Sequence, residues 1–244
     1  MTILNSIFSF LSHGKLADYD FTGLEKVWIV IKIYVVLIIF SVLFEFGITS
    51  LFDSYLTRAT TNEDRIPFQG PDFYVSVFLL LTVPVHEELT FRFFLSRFDL
   101  QRIAVSCSLL VGYFLFWLVY ESLTFPAVMD RKVTTYLYLF AIGLIVYPVA
   151  YLGFNKLARK SLAKWWDTNL LIVVYGVSVI FSLVHFDTSY LSSLASVLIG
   201  IVLLVPTFLF ALVASFIRLS VGFKYAVLFH LLFNLPEFLI VSLL

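Results

Sequence analysis

The chain has 244 residues, of which 61% are hydrophobic, 18% aromatic and only 13% charged; mean hydropathy is +1.01 and formal net charge is zero. A soluble domain carries about 45–50% apolar and about 25% charged residues, so the composition excludes an ordinary soluble globule, and with no net positive charge nucleic acid is not an expected partner. The apolar runs are long rather than alternating, which excludes an outer-membrane barrel, and a single cysteine, Cys107, excludes a disulfide framework.

The expected fold class is all-α, a polytopic transmembrane helix bundle of about seven spans, within a range of six to eight. Residues 1–25 read as an N-terminal cytoplasmic or interfacial segment, with Ile3, Leu4, Ile7, Phe8, Phe10 and Leu11 as an apolar patch too short to span. No basic region precedes that patch and no small-residue cleavage site follows it, so the first spanning helix is expected to act as the insertion signal. Residues 26–244 read as one transmembrane domain, with spans expected at 26–48, 72–97, 103–124, 133–153, 168–187, 191–217 and 220–243. Pro206 is expected to kink, tilt or break the sixth of these. The longer connections are Asp53–Pro71, read as a structured loop, and Asn155–Asp167, where Trp165 and Trp166 read as interface anchors. Ten loop Lys and Arg residues fall on the N-terminal side and four on the other, which places the N-terminus in the cytoplasm. Seven spans would put the C-terminus opposite it.

Three polar islands interrupt these apolar helices. The first is His86-Glu87-Glu88 with Arg92. A charge near the bilayer centre costs roughly 2.5–3.5 kcal/mol on insertion scales, so such a cluster is a functional-site hypothesis by default. Glu88 and Arg92 are four apart, share a helix face and can form a structural ion pair. Glu87 lies about 100° round the helix from Glu88. It is either a second salt-bridge partner or a group with another job, and one arginine does not readily explain two buried carboxylates. His86 reads as a capping or packing residue, with a ligand role as the sharper alternative. The second island is His185, four residues after Phe181. The third is His230 with Asn234, on one helix face just ahead of Pro236. These two either bond each other and neighbouring backbone or share a target. Polar groups in lipid face the bundle interior and find each other, which assembles a Glu, two His and an Asn away from bulk water. A carboxylate there can take a proton from water, one imidazole can orient that water, and a second imidazole with an amide can donate to a developing oxyanion.

The islands, in this order, resemble the signatures of the CPBP family, the CAAX-protease and bacteriocin-processing (Abi) intramembrane proteases. Those signatures are EExxxR, FxxxH, and HxxxN or HxxxD; here they read Glu87-Glu88-x-x-x-Arg92, Phe181-x-x-x-His185 and His230-x-x-x-Asn234. The resemblance covers a core of about residues 72–240. It implies an intramembrane endopeptidase that hydrolyses a peptide bond of a membrane-associated protein or peptide, lipidated or not. Glu87 would be the catalytic glutamate, activating water with His185, while His230 and Asn234 would form the oxyanion hole and Glu88 and Arg92 would support the site. A glutamic mechanism is favoured over a metallo mechanism, since there is no HExxH, and no cofactor is expected. Were a divalent metal such as zinc present, its ligands would be Glu87, His185 and His230. Two features depart from the family: Phe93 stands where Gly is usual, and 88 residues separate Arg92 from Phe181.

Two alternatives use the same residues. One is a non-catalytic membrane scaffold or immunity protein of the same fold. The other is a small-solute or proton transporter working through Glu87, His185 and His230. The expected partners are the lipid bilayer and a protein or peptide substrate. The expected location is a bacterial cytoplasmic membrane, as a multi-pass protein.

Overall fold

The computed structural model describes residues 3–14, 21–60, 73–96, 98–122, 156–186, 190–191 and 193–243. Among these there is no strand, and eight helices follow in order: α1 (Ile3–His13), α2 (Gly23–Thr60), α3 (Phe73–Phe91), α4 (Leu100–Ser122), α5 (Lys156–Val184), α6 (Leu194–Leu203), α7 (Val205–Ser220) and α8 (Phe223–Leu243). Among the described residues, three helical stretches are long and apolar enough to cross a membrane: Gly23–Ile48, Lys160–Val184 and Leu194–Ser220. Their outward faces carry exposed Val35, Ile39, Leu43 and Phe46 on α2, and Ile172, Val179 and Leu183 on α5. Contiguous apolar surface of this kind is rare on a soluble monomer and suits a hydrocarbon surround. The span expected at 133–153 lies outside the described residues.

Helix ends differ from the hydropathic spans for identifiable reasons. α2 runs on to Thr60, well past the expected end at residue 48, because hydropathy marks where a helix leaves lipid and not where it stops. α5 begins at Lys156, inside the segment read as a connection. Its sequence there, Lys-Leu-Ala-Arg-Lys-Ser-Leu-Ala-Lys, is made largely of strong helix formers that hydropathy scores as loop. It kinks at Asn169 (φ −117°, ψ 22°), whose side-chain amide donates to the carbonyl of Trp165 at 2.8 Å. The expected sixth span is two helices that meet at Leu204, with Pro206 in the first turn of α7, where its missing N–H is no loss.

α7 is the centre of the bundle and packs against α1, α2, α5, α6 and α8. Its inner face carries Phe210, Ala211, Ala214, Ser215, Phe216 and Ile217, all buried. The small residues among them let neighbouring backbones come close, as membrane-type helix packing requires. α1 lies on this centre, with Phe10 against Phe216 at 5.7 Å between ring centroids and Leu11 accepting a hydrogen bond from Tyr175 at 3.0 Å. Thus the short N-terminal patch packs on the bundle. α8 then turns back beside α3, α2 and α7. The turn is made at Gly222, whose φ of 122° lies in the region that favours glycine. Its N–H closes onto the carbonyl of Ile217 at 2.9 Å.

Candidate active site

The site lies where α3, α5 and α8 converge beside α7. On α3, Pro84 supplies no N–H, so the helix has one backbone bond fewer just ahead of Glu87 and Glu88. Glu88 Oε1 accepts from Arg92, one turn on, in a fully buried pair. The same oxygen accepts from His230 Nδ1 of α8 at 2.9 Å. That bond fixes the tautomer: a carboxylate paired with arginine accepts, so Nδ1 carries a proton. His230 Nε2 then faces Glu87 Oε2 at 3.3 Å. One further proton between this nitrogen and oxygen satisfies both. With it, the four groups Glu87, Glu88, Arg92 and His230 sum to zero charge, the arrangement that low-dielectric burial favours. Glu87, left by the sequence as a carboxylate without a cation of its own, thus shares His230 with Glu88.

Aromatic rings close the inner side. The guanidinium of Arg92 lies 4.4 Å from the ring centre of Phe181 and 5.4 Å from that of Phe210. Phe210 also meets His230 edge-on at 4.8 Å. Cations over ring faces gain electrostatically, more so when desolvated. Nε and Nη2 of Arg92 and Oε2 of Glu88 are buried and have no partner among the described residues. Ser106 of α4 braces the outer side of α3 by donating to the carbonyl of Leu89 at 2.6 Å.

His185 follows the last residue of α5. Its Nδ1 lies 2.7 Å from the carbonyl of Phe181, which can only accept, so Nδ1 is the protonated nitrogen. In the neutral ring Nε2 is then an acceptor, and it sits 4.0 Å from Glu87 Oε1. Exposure rises steadily along the network: Glu88 0%, Arg92 1%, His230 3%, Glu87 18%, His185 38%. The open end of the site is therefore at His185, and Glu87 is the deepest carboxylate that a reactant can touch.

The structure brings together Glu87, Glu88, Arg92, His185 and His230. Asn234 is half-buried one turn beyond His230 on α8, and its side chain makes no hydrogen bond among the described residues. His86 is half-buried, and its carbonyl accepts from Thr90 at 2.9 Å. Among the described residues no three or more His, Cys, Asp or Glu side chains are grouped to hold a metal ion. Sequence reading missed Phe210, since an apolar residue on an apolar helix carries no signal of its own.

Phe186 and Tyr190 make a close contact with α6. A Cβ on Gly200 would lie 2.8 Å from Phe186 Cε2 and 3.0 Å from Tyr190 Cβ and Cγ. Gly200→Ala is therefore expected to push Phe186 and Tyr190 outward, at about 1–3 kcal/mol for an overpacked contact. Thermal unfolding in detergent would read this as a lowered midpoint; an unchanged midpoint would show that the contact yields freely.

Set against protein-family models, curated proteins and solved structures, the chain matches none. The functional reading therefore rests on the geometry and on the three sequence motifs.

Proposed function

We propose that the chain is a multi-pass intramembrane endopeptidase of the CPBP type. In this reading a bundle of about seven spans hydrolyses a peptide bond of a membrane-associated protein or peptide. The observation that carries it is the pair of acceptors at the open end, Glu87 Oε1 and His185 Nε2, 4.0 Å apart. A water about 2.8 Å from each would subtend about 90° between them, near its own bond angle, so both of its hydrogens would be engaged. Its oxygen lone pairs are then left to attack a carbonyl carbon.

The groups behind supply the rest. As the water oxygen bonds to the carbonyl carbon, Glu87 takes one of its protons. The carbonyl oxygen becomes negative and accepts from the amide of Asn234 and from His230 Nε2–H, which Glu87 releases as its own charge is neutralised. Negative charge on the oxyanion replaces the charge that Glu87 loses, so the site stays neutral with His230 protonated. When the C–N bond breaks, Glu87 returns the proton to the leaving nitrogen. Glu88 and Arg92 hold His230 in place throughout. The mechanism routes no step through a metal ion. In this reading the reaction runs in a bacterial cytoplasmic membrane, and the three long apolar helical stretches support a membrane setting.

The test is cleavage of membrane-derived peptides by the detergent-purified chain and by His185→Ala. Losing the group that orients the water is expected to slow cleavage about 10²-fold. Cleavage by His185→Ala at the unaltered rate would count against His185 in this role.

A further inference from the structure

The end of α3 is held by a side chain from another helix. α3 stops at Phe91, and Arg92–Phe94 form a turn. The carbonyls of the turn that follows α3 favour a cation, and that of Arg92 also accepts from the Leu95 N–H at 3.0 Å. Arg92 does not serve them, because its guanidinium folds back to Glu88. Arg218, in the last turn of α7 and only 8% exposed, reaches across instead. Its Nε donates to the carbonyl of Arg92 at 3.2 Å and its Nη2 to that of Phe93 at 3.0 Å.

The same place accounts for Phe93. Its ring stands edge-on to Phe223, the first residue of α8, at 5.5 Å between centroids. Arg218 lies 5.5 Å from the ring centre of Phe223, and Arg102 lies 5.6 Å from that of Phe93. Two arginines and two rings therefore join the end of α3, the start of α4, the end of α7 and the start of α8 in one connection.

We infer that Arg218 is a positioning residue that sets the register of α3 against α8, and so the contact between Glu87 and His230. Glu87 lies five residues before Arg92, and His230 seven after Phe223, which is about two turns from the joint on each helix or less. A slip or rotation at the joint therefore carries directly to the 3.3 Å contact between Glu87 and His230. The planar fork of arginine spans two adjacent carbonyls; the single ammonium of lysine cannot fix both in the same way. The activity arm of the test rests on the peptidase reading; the spectroscopic arm does not.

The experiment uses the full chain in detergent with ¹⁵N-labelled histidine, which gives only four ring systems to assign. Arg218→Gln, Arg218→Lys and Lys224→Gln are compared with the unaltered protein. Lys224 lies beside Arg218's connection but over Tyr225, at 5.1 Å, and controls for charge alone. In the unaltered protein the His230 Nδ1–H is expected to be protected and hydrogen-bonded. In Arg218→Gln that signal is expected to shift or exchange, and kcat to fall about 10²-fold with little change in KM, as misplacement of a reacting group would produce. Arg218→Lys should fall between, and Lys224→Gln should match the unaltered protein. An unchanged His230 signal in Arg218→Gln, or an equal change in Lys224→Gln, overturns the inference. If no form of the protein cleaves peptides, the peptidase reading fails and the His230 signal still decides the role of Arg218. If neither Arg218 variant folds, hydrogen exchange on the unaltered chain decides. Amides of residues 92–95 protected like those within α3 support the joint, and amides exchanging like an open turn overturn it.

Discussion

Replacing Glu88 by alanine is expected to destabilise the protein by about 3–5 kcal/mol, the cost of removing one partner from a buried ion pair. Glu88 is fully buried and accepts from both Arg92 and His230. Without it, the Arg92 guanidinium stays in the core with no carboxylate, and its Nε and Nη2 already lack partners among the described residues. The contacts with Phe181 and Phe210 remain, but a desolvated cation–π interaction of about 2 kcal/mol does not offset an unpaired buried charge. Glu88→Gln keeps the shape and one acceptor and is expected to cost less. Thermal or denaturant unfolding in detergent measures both. A loss under about 1 kcal/mol for Glu88→Ala would mean that the pair is hydrated in the folded state.

The neighbouring glutamate is expected to behave in the opposite way. Glu87→Gln should leave the fold intact, since Glu87 is partly exposed and has no arginine partner among the described residues. Its effect should fall on catalysis, where removing a general base costs about 10²–10⁴-fold. The amide keeps the size of the side chain and its reach to His230 and His185, but it cannot take a proton from water. On the proposed reading, two adjacent glutamates would thus separate into a structural and a chemical role. Paired measurement of unfolding and cleavage on Glu88→Gln and Glu87→Gln would read this separation. Equal effects of the two variants on both would contradict it.

Part of this arrangement is legible in the sequence. Four-residue spacing puts Glu88 and Arg92 on one helix face, and the cost of polar groups in lipid brings the three islands together in expectation. The all-helical class follows from long apolar runs, and Pro206 marks the start of α7. What spacing cannot show is which nitrogen of His230 meets which carboxylate, because that depends on the rotation of α8 against α3. The resemblance assigns His230 to the oxyanion hole, with metal-ligand and relay roles as alternatives, whereas the structure has it touching both glutamates. Arg218 is read only as a loop charge at the end of a span. Its partners are backbone carbonyls 125 and 126 residues away, and backbone leaves no mark in a sequence. The helical start of α5 escapes hydropathy because its charged residues lower the hydropathy while still favouring helix.

The most direct test of the account is cleavage of a membrane-peptide library in ¹⁸O-water, with new C-termini read by mass spectrometry. The unaltered chain is expected to produce new C-termini carrying one ¹⁸O, in the presence and absence of a zinc chelator, and Glu87→Gln is expected to produce none. Labelled products formed equally by Glu87→Gln, or no new C-termini from the folded unaltered chain, would contradict a glutamate-activated water at this site.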